Sequence, residues 1–497
     1  MNREIVTLGL TAVLGAGLGA AGEVQAIEIP RPDLSVAGPA DSRLRLEVSN
    51  MTRGEFVDWF DAGPGSNNRY DYWGNRFQAG VRITRAGLWS SSTDLEGFFQ
   101  FQHTLVDNVP KDAPGPGGTY YANTRDSFQE QAIFRQGWLK LMTALGDDRL
   151  AITGGRTRFR DGAEVVPTDP TLRRLQDMRI AERLLGPFDY TFVGRSFDGV
   201  TIGYDHATIN ATGFWNRPTT GGFEISGGRS IDDIDVAGVS LTAVNPPGLD
   251  PTDARIFWIY YDDSRDVVRL DNRSLAVRTA QANRATTIHT IGANAMHVFP
   301  IGPGRLDVLA WVAGQTGDWQ SQDHRAWAYD LEAGYQFPDV PWDPWMRLIF
   351  FRSSGDPDAT DGTHETFFQM LPTARIYAQT PFYNMMNNQD LFAQLLLQPL
   401  DRLGVRADFH YLRATEGADF VYFGGGATKD DFFGYGGTPA LGEREIGYFT
   451  DVALTWKPVD IMTLYAYYGH VFGRDVLRRN FVGEDLNYGY VEMTLSF

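Results

Sequence analysis

The final residues of the chain alternate strictly between apolar and polar. Val491, Met493, Leu495 and Phe497 fall on one face, and Tyr490, Glu492, Thr494 and Ser496 on the other. This is the period of two that a strand with two unlike faces requires. The pattern recurs upstream. Leu44, Leu46 and Val48 alternate with Arg43, Arg45, Glu47 and Ser49, and Phe77, Ala79, Val81 and Ile83 with Gln78, Arg82 and Thr84. Val405, Ala407, Phe409 and Tyr411 likewise alternate with Arg406, Asp408 and His410. Extended along the chain, this reading predicts about 18 strands, a number within the range of membrane barrels. They lie near 43–51, 75–84, 94–105, 132–142, 149–158, 198–204, 208–216, 235–244 and 254–262. The others lie near 286–299, 304–316, 326–337, 344–352, 390–398, 402–414, 445–456, 461–472 and 488–497.

A soluble sandwich also alternates, with its charged face outward, whereas a membrane barrel inverts the arrangement. The connections separate the two. Turns after even-numbered strands are mostly short (300–304, 338–343, 399–401 and 457–460), and those after odd-numbered strands mostly long (106–131, 159–197, 353–389, 415–444 and 473–487). Short turns on one rim and long loops on the other are the layout of an outer-membrane barrel. Trp456, Tyr465, Tyr467, Tyr468 and Phe472 gather near strand ends, as interfacial girdles or as ordinary packing. The fold class expected is all-β, a transmembrane antiparallel β-barrel.

Residues 1–26 read as a secretory signal: Arg3, an apolar run from Ile5, and a close on Val24-Gln25-Ala26. The competing reading is an amino-terminal anchor. Residues 27–42 then form a periplasmic lead-in, and 27–497 the barrel. Beyond the signal no apolar run reaches the ~18 residues of a spanning helix. The chain has no cysteine, which removes disulfides and thiolate metal sites. A formal net charge of -18 argues against a nucleic-acid partner. The partners expected are membrane lipid and lipopolysaccharide, the barrel-assembly machinery through the Phe497 strand, and a solute.

Of the 44 basic residues only Lys111, Lys140, Lys429 and Lys457 are lysines. Arginine's planar fork suits carboxylates, although base composition alone also raises arginine. Alternation turns Arg45, Arg82, Arg347 and Arg406 into the lumen, with Glu47, Glu96, Asp408, Asp451 and Glu492 as acidic partners. Arg156 and Arg158 share parity with apolar Leu150 and Ile152. A bulge at Gly154-Gly155 would turn them inward; alternatively they leave the bilayer and sit at the rim, and an inward Arg156 is the preferred reading. Arg173, Arg174, Arg179 and Arg183 stand beside Leu172, Leu175, Ile180 and Leu184, either as a short helix folded into the pore or as a solvated outer loop. Asp356, Asp358, Asp361 and Glu365 miss the spacing of an EF-hand and read as a solvated loop. No catalytic, cofactor or metal-ligand motif is found, so neither an enzyme nor a cofactor is expected.

Two segments go further. Gln136 and Trp138, Gly155-Arg156-x-Arg158 leading into Asp161-Gly162, and Ser354-Gly355-Asp356, with Phe367, Leu371, Pro372 and Asn388, resemble the alginate-export family of outer-membrane porins. Thr157 departs from the family's usual glutamine. The resemblance implies a monomeric barrel of 18 strands, with an arginine-lined pore that passively passes an anionic polysaccharide such as alginate. The alternative is a specific or general porin for uptake of small solutes.

Overall fold

A computed structural model of the chain describes residues 32–38, 42–373 and 376–497. The predicted signal at 1–26 lies outside the described residues.

Eighteen antiparallel strands form a closed barrel. β1–β6 are Ser42–Asp58, Arg69–Arg85, Thr93–Asp107, Phe128–Leu145, Asp148–Thr157 and Phe197–His206. β7–β12 are Ile209–Pro218, Ile234–Val244, Thr252–Asp263, Thr286–Ile301, Gly304–Trp319 and Gln322–Gln336. β13–β18 are Trp345–Ser353, Asn388–Leu400, Leu403–Ala414, Glu445–Val459, Met462–Gly473 and Leu486–Ser496. Each strand pairs with its sequence neighbour, and β18 pairs with β1 from Ser49↔Ser496 to Asp58↔Asn487, so the sheet has no free edge. A three-residue strand, Ser35–Ala37, doubles back on the start of β1.

All eighteen predicted strands are present. β1 runs to Asp58, seven residues beyond its predicted end, because its inward positions there are Arg53 and Glu55, which a hydropathy pattern does not score as buried. Connections follow the predicted sorting with one exception: β11 and β12 join on the long-loop rim through Gln320 and Ser321 alone.

The outward face is apolar and exposed, as in Leu139, Ile256, Ile291, Leu331, Leu348 and Val491. No helix among the described residues is long and apolar enough to cross a membrane. The aromatic cluster near the end of the chain divides by parity. Trp456, Tyr468 and Phe472 are exposed on the outer face, whereas Tyr467 is buried inside.

The lumen is not a simple water-lined tube. Loops 158–196 and 415–444 and the described residues of loop 354–387 fold inward and carry buried Leu172, Leu184, Phe368, Leu371, Phe382 and Tyr435. These pack against inward apolar residues of the wall, among them Ile259, Ile288, Ile349 and Phe392. The hydrophobic core therefore lies inside the barrel, between wall and loops. Burial at that site is favourable at about 25 cal/mol per Å² of apolar surface, which is why the inward face is not uniformly polar.

Candidate functional site

The loop between β5 and β6 shapes the lumen. It leaves the long-loop rim at residue 158 and descends to the opposite rim, where Asn245 Nδ2 donates to Thr168 Oγ1 at 3.1 Å. There Asp169 caps a short helix, α1, Pro170–Leu175, with Oδ1 accepting from the amides of Thr171 and Leu172 at 2.8 and 3.1 Å. Its other oxygen pairs with Arg305 at the start of β11. Pro170 at the first helical position has no amide proton to leave unsatisfied. A π-helical turn, Gln176–Ile180, follows and the chain climbs back.

Arginines fasten this loop to the wall. Arg179 lies 3.2 Å from the Glu332 carboxylate and donates to Gln394 Oε1 and the Ile376 carbonyl, each at 2.9 Å. Arg183 pairs with Asp330 at 2.8 Å. Higher up, Asp189 receives Arg135 at 2.6 Å and Arg158, with Arg76 at 4.0 Å. Arg53 pairs with Glu55 at 2.9 Å and sits over the rings of Tyr190 and Phe192 at 4.4 and 4.6 Å. Several of these contacts need more than one donor in one plane, which lysine lacks.

The predicted pore residues are distributed as follows. Arg82 pairs with Glu47 at 2.7 Å and with Glu96. Arg45 stands opposite Arg82 in register, on the inward parity of β1, exposed and without an ion pair among the described residues. Arg347 is fully buried between Asp307 and Glu332, at 3.0 and 2.6 Å. Arg406 lies 3.0 Å from Asp408 and 3.3 Å from Asp451. Glu492 meets Arg53 at 3.5 Å. Most of these arginines are therefore neutralised where they stand.

Arg156 requires a correction. The β4–β5 and β5–β6 registers run unbroken through Gly154 and Gly155, so Arg156 keeps the outward parity of Leu150 and Ile152. It pairs with Asp198 at 2.7 Å and is covered by loop 219–233 through the Gly228 carbonyl. The irregularity lies in the neighbouring strand: between Gln100 and Phe101 the β3–β4 register skips Arg135. That bulge aims buried Arg135 at Asp189. Arg158, beyond the end of β5, reaches the same aspartate, so only Arg156 stays outside.

One space left open at the short-turn rim is a cavity of about 410 Å³. Arg174 of α1, Arg402, Arg406, Lys457 and Tyr465 line it, and Asp401 is the one carboxylate of its described lining. Arg174 makes no ion pair among the described residues and lies 5.6 Å from the Trp345 ring. Sequence reading placed Arg174 in the loop but had no signal for the vestibule, which forms only when α1 meets β14–β17.

On the other rim Asp356 and Asp419 are buried together, which corrects the solvated reading of Asp356. Asp419 Oδ2 accepts from the Asp356 amide at 3.0 Å and from Thr366 at 2.6 Å. Burial first, and for Asp356 also the neighbouring Asp419 charge, push both carboxyls up to about 6 from 3.8. Folded values above the unfolded one mean that the packed loops hold extra protons between about pH 4 and 6. Their stabilisation is complete below that window and is lost as pH rises through 6. Hydrogen exchange in 415–424, corrected for intrinsic rates, is expected to be several-fold slower at pH 5 than at pH 7.5. Asp419→Asn should flatten the difference; faster exchange at pH 5 would contradict it.

A family profile for alginate export matches residues 42–488. No curated protein sequence matches the chain. Among solved structures, OccAB2 from Acinetobacter baumannii is similar with a TM-score of 0.56 and 8% identity, over 91% of this chain and 98% of that one. A BenF-like porin from Pseudomonas fluorescens Pf-5 gives 0.55 and 9%, over 92% and 99%. OpdK from Pseudomonas aeruginosa, determined with vanillate, gives 0.53 and 9%, over 91% and 98%. At these identities the likeness is one of fold: that of outer-membrane channels.

Proposed function

Because the chain belongs to the alginate export family, and is thus a porin-type β-barrel of the Gram-negative outer membrane, we propose that it is a passive channel for carboxylate-bearing solutes, an acidic polysaccharide such as alginate foremost. It works as a monomer and without enzymatic chemistry; the closed β18–β1 seam, with Phe497 and Val48 exchanging backbone hydrogen bonds, is the end of the chain offered to the assembly machinery.

The observation that carries this reading is the cationic vestibule. Of the four basic side chains that line it, Arg406 is paired with Asp408 and Asp451, and Arg402 with Asp460 at 3.1 Å. Arg174 and Lys457 are thus the cations left to attract anions into the cleft, and unpaired Arg174 offers a carboxylate a planar, bidentate partner. The entrance faces the rim of the short turns, the periplasmic side, as export requires. Arg174→Ala is expected to lower the anion preference of the channel in planar bilayers several-fold and to abolish block by polyuronate oligomers added from that side. Unchanged reversal potentials together with free passage of neutral sugars would sink the proposal.

A second reading has its own support. Three loops fill the lumen above the vestibule, which suits a small carboxylate better than a polymer, and vanillate in OpdK is such a solute. In the same bilayers, block by an aromatic monocarboxylate but not by polyuronate selects it.

A further inference from the structure

Asp408 and His410 stand two residues apart on the inward face of β15, and Asp451 of β16 is the register partner of Asp408. One ring nitrogen of His410 and one oxygen from each aspartate lie within 4.8 Å of one another. All three side chains are fully buried. Ion pairs in barrel walls are common, and Asp451 accepts from Arg406 and Tyr467, but Asp408 and His410 are not fully satisfied by their neighbours. His410 Nδ1 is committed to Asp390 Oδ2 at 2.9 Å, and Nε2 is buried with no hydrogen-bond partner. Both oxygens of Asp408 also lack a hydrogen bond, since Arg406 Nε lies 3.0 Å away but off line.

Charge points the same way. Asp390, Asp408 and Asp451 bring three carboxylates to one buried place against one guanidinium, Arg406, and one imidazole, His410, so at least one negative charge is left over whichever form the imidazole takes. Buried charge that is not cancelled is costly, and a divalent cation cancels the excess. We propose that Asp408, Asp451 and His410 Nε2 bind a divalent transition-metal cation, Zn2+ the best fit, at the seam between the barrel wall and loop 354–387. An imidazole with two carboxylates suits zinc, whereas calcium takes 6–8 oxygen ligands. Asp390 supplies the outer support such a site needs: its bond to Nδ1 fixes the ring so that Nε2 presents a lone pair. Asp390 is held in turn by Tyr383 of the inserted loop at 2.9 Å, and Asp451 by Tyr467 at 2.9 Å. Phe392 and Phe449 flank the imidazole at 4.2 and 5.1 Å and keep the shell apolar. None of this depends on which solute the channel passes.

The test uses the full chain folded in detergent, stripped with a chelator, loaded with Zn2+ and desalted. One equivalent of zinc per chain should be retained, and Co2+ loading should give visible d–d bands. His410→Gln should abolish both, and Asp390→Asn should weaken binding by about 10- to 100-fold. His206→Gln, at the exposed His206–Asp148 pair, should change neither. Each variant is checked for heat-modifiable migration as a folded barrel. Zinc absent from the wild-type protein, or retained equally by His410→Gln, overturns the proposal. If His410→Gln does not fold, zinc-edge X-ray absorption of the wild-type protein decides: one imidazole with oxygen neighbours supports the site, and zero or several imidazoles refute it.

Discussion

Excising residues 163–181 and joining Gly162 to Glu182 through a few glycines is expected to raise single-channel conductance several-fold while leaving the barrel folded. The excision is possible because the excursion has a closed base. The Glu182 amide donates to the Asp161 carbonyl at 2.8 Å, and the Asp161 amide to the Leu185 carbonyl at 3.1 Å. The missing stretch therefore begins and ends between neighbouring residues and needs no long bridge. It contains α1, the contacts with the far rim through Thr168 and Asp169, and Arg179. A barrel of 16–18 strands leaves an aqueous channel when its lumen is not filled. The strand ladder itself makes no use of these residues. Conductance indistinguishable from wild type would mean that ions pass elsewhere and that the loop is not the constriction.

The largest loss of stability is expected from Glu332→Gln. This carboxylate lies between Arg179 of the loop and Arg347 of the wall, at 3.2 and 2.6 Å, and all three side chains are at most 1% exposed. Neutralising it leaves two guanidiniums in a dry interior with one remaining carboxylate, Asp307, on the Arg347 side alone. Removing one partner of a buried ion pair typically costs about 3–5 kcal/mol. The loss should appear as much faster hydrogen exchange in 170–185, because the loop can detach without opening the sheet. Arg325→Ala is the control, since its pair with Asp323 at 3.6 Å is about 70% exposed on both sides and contributes little. Equal, small effects from the two substitutions would show that the Arg179–Glu332 contact does not hold the loop.

The strands were legible because lipid imposes an apolar outer face at every second residue, whatever happens inside. Hence the predicted strands at 198–204 and 208–216 resolve into β6 and β7. Inside, the rule fails in both directions. Arg53 and Glu55 are buried though charged, and Ile288 and Phe392 point inward though apolar, because loops distant in sequence come to cover them. Pairing Arg82 with Glu47 and Glu96 followed from cross-strand neighbourhood, which a register supplies. Pairing Arg135 with Asp189 did not, since it joins a bulge to a loop 54 residues away. Arg156 was misplaced for the same reason: two adjacent glycines suggested a bulge, but the extra residue sits one strand earlier, at an arginine that no local signal distinguishes.

The β18–β1 seam also carries a consequence for how the molecule forms. Its register joins Ser49 to Ser496, nearly the whole chain length apart, so closure has the largest loop entropy of any pairing in the sheet. Hairpins such as β10–β11 can form from residues close in sequence, and contacts of high separation form slowly. Closure is thus expected to be the last and slowest step. Until then β1 and β18 are two unpaired edges, each able to template a strand of another chain. The hazard of misassembly is concentrated at the first and last strands and is highest before the barrel exists as a barrel.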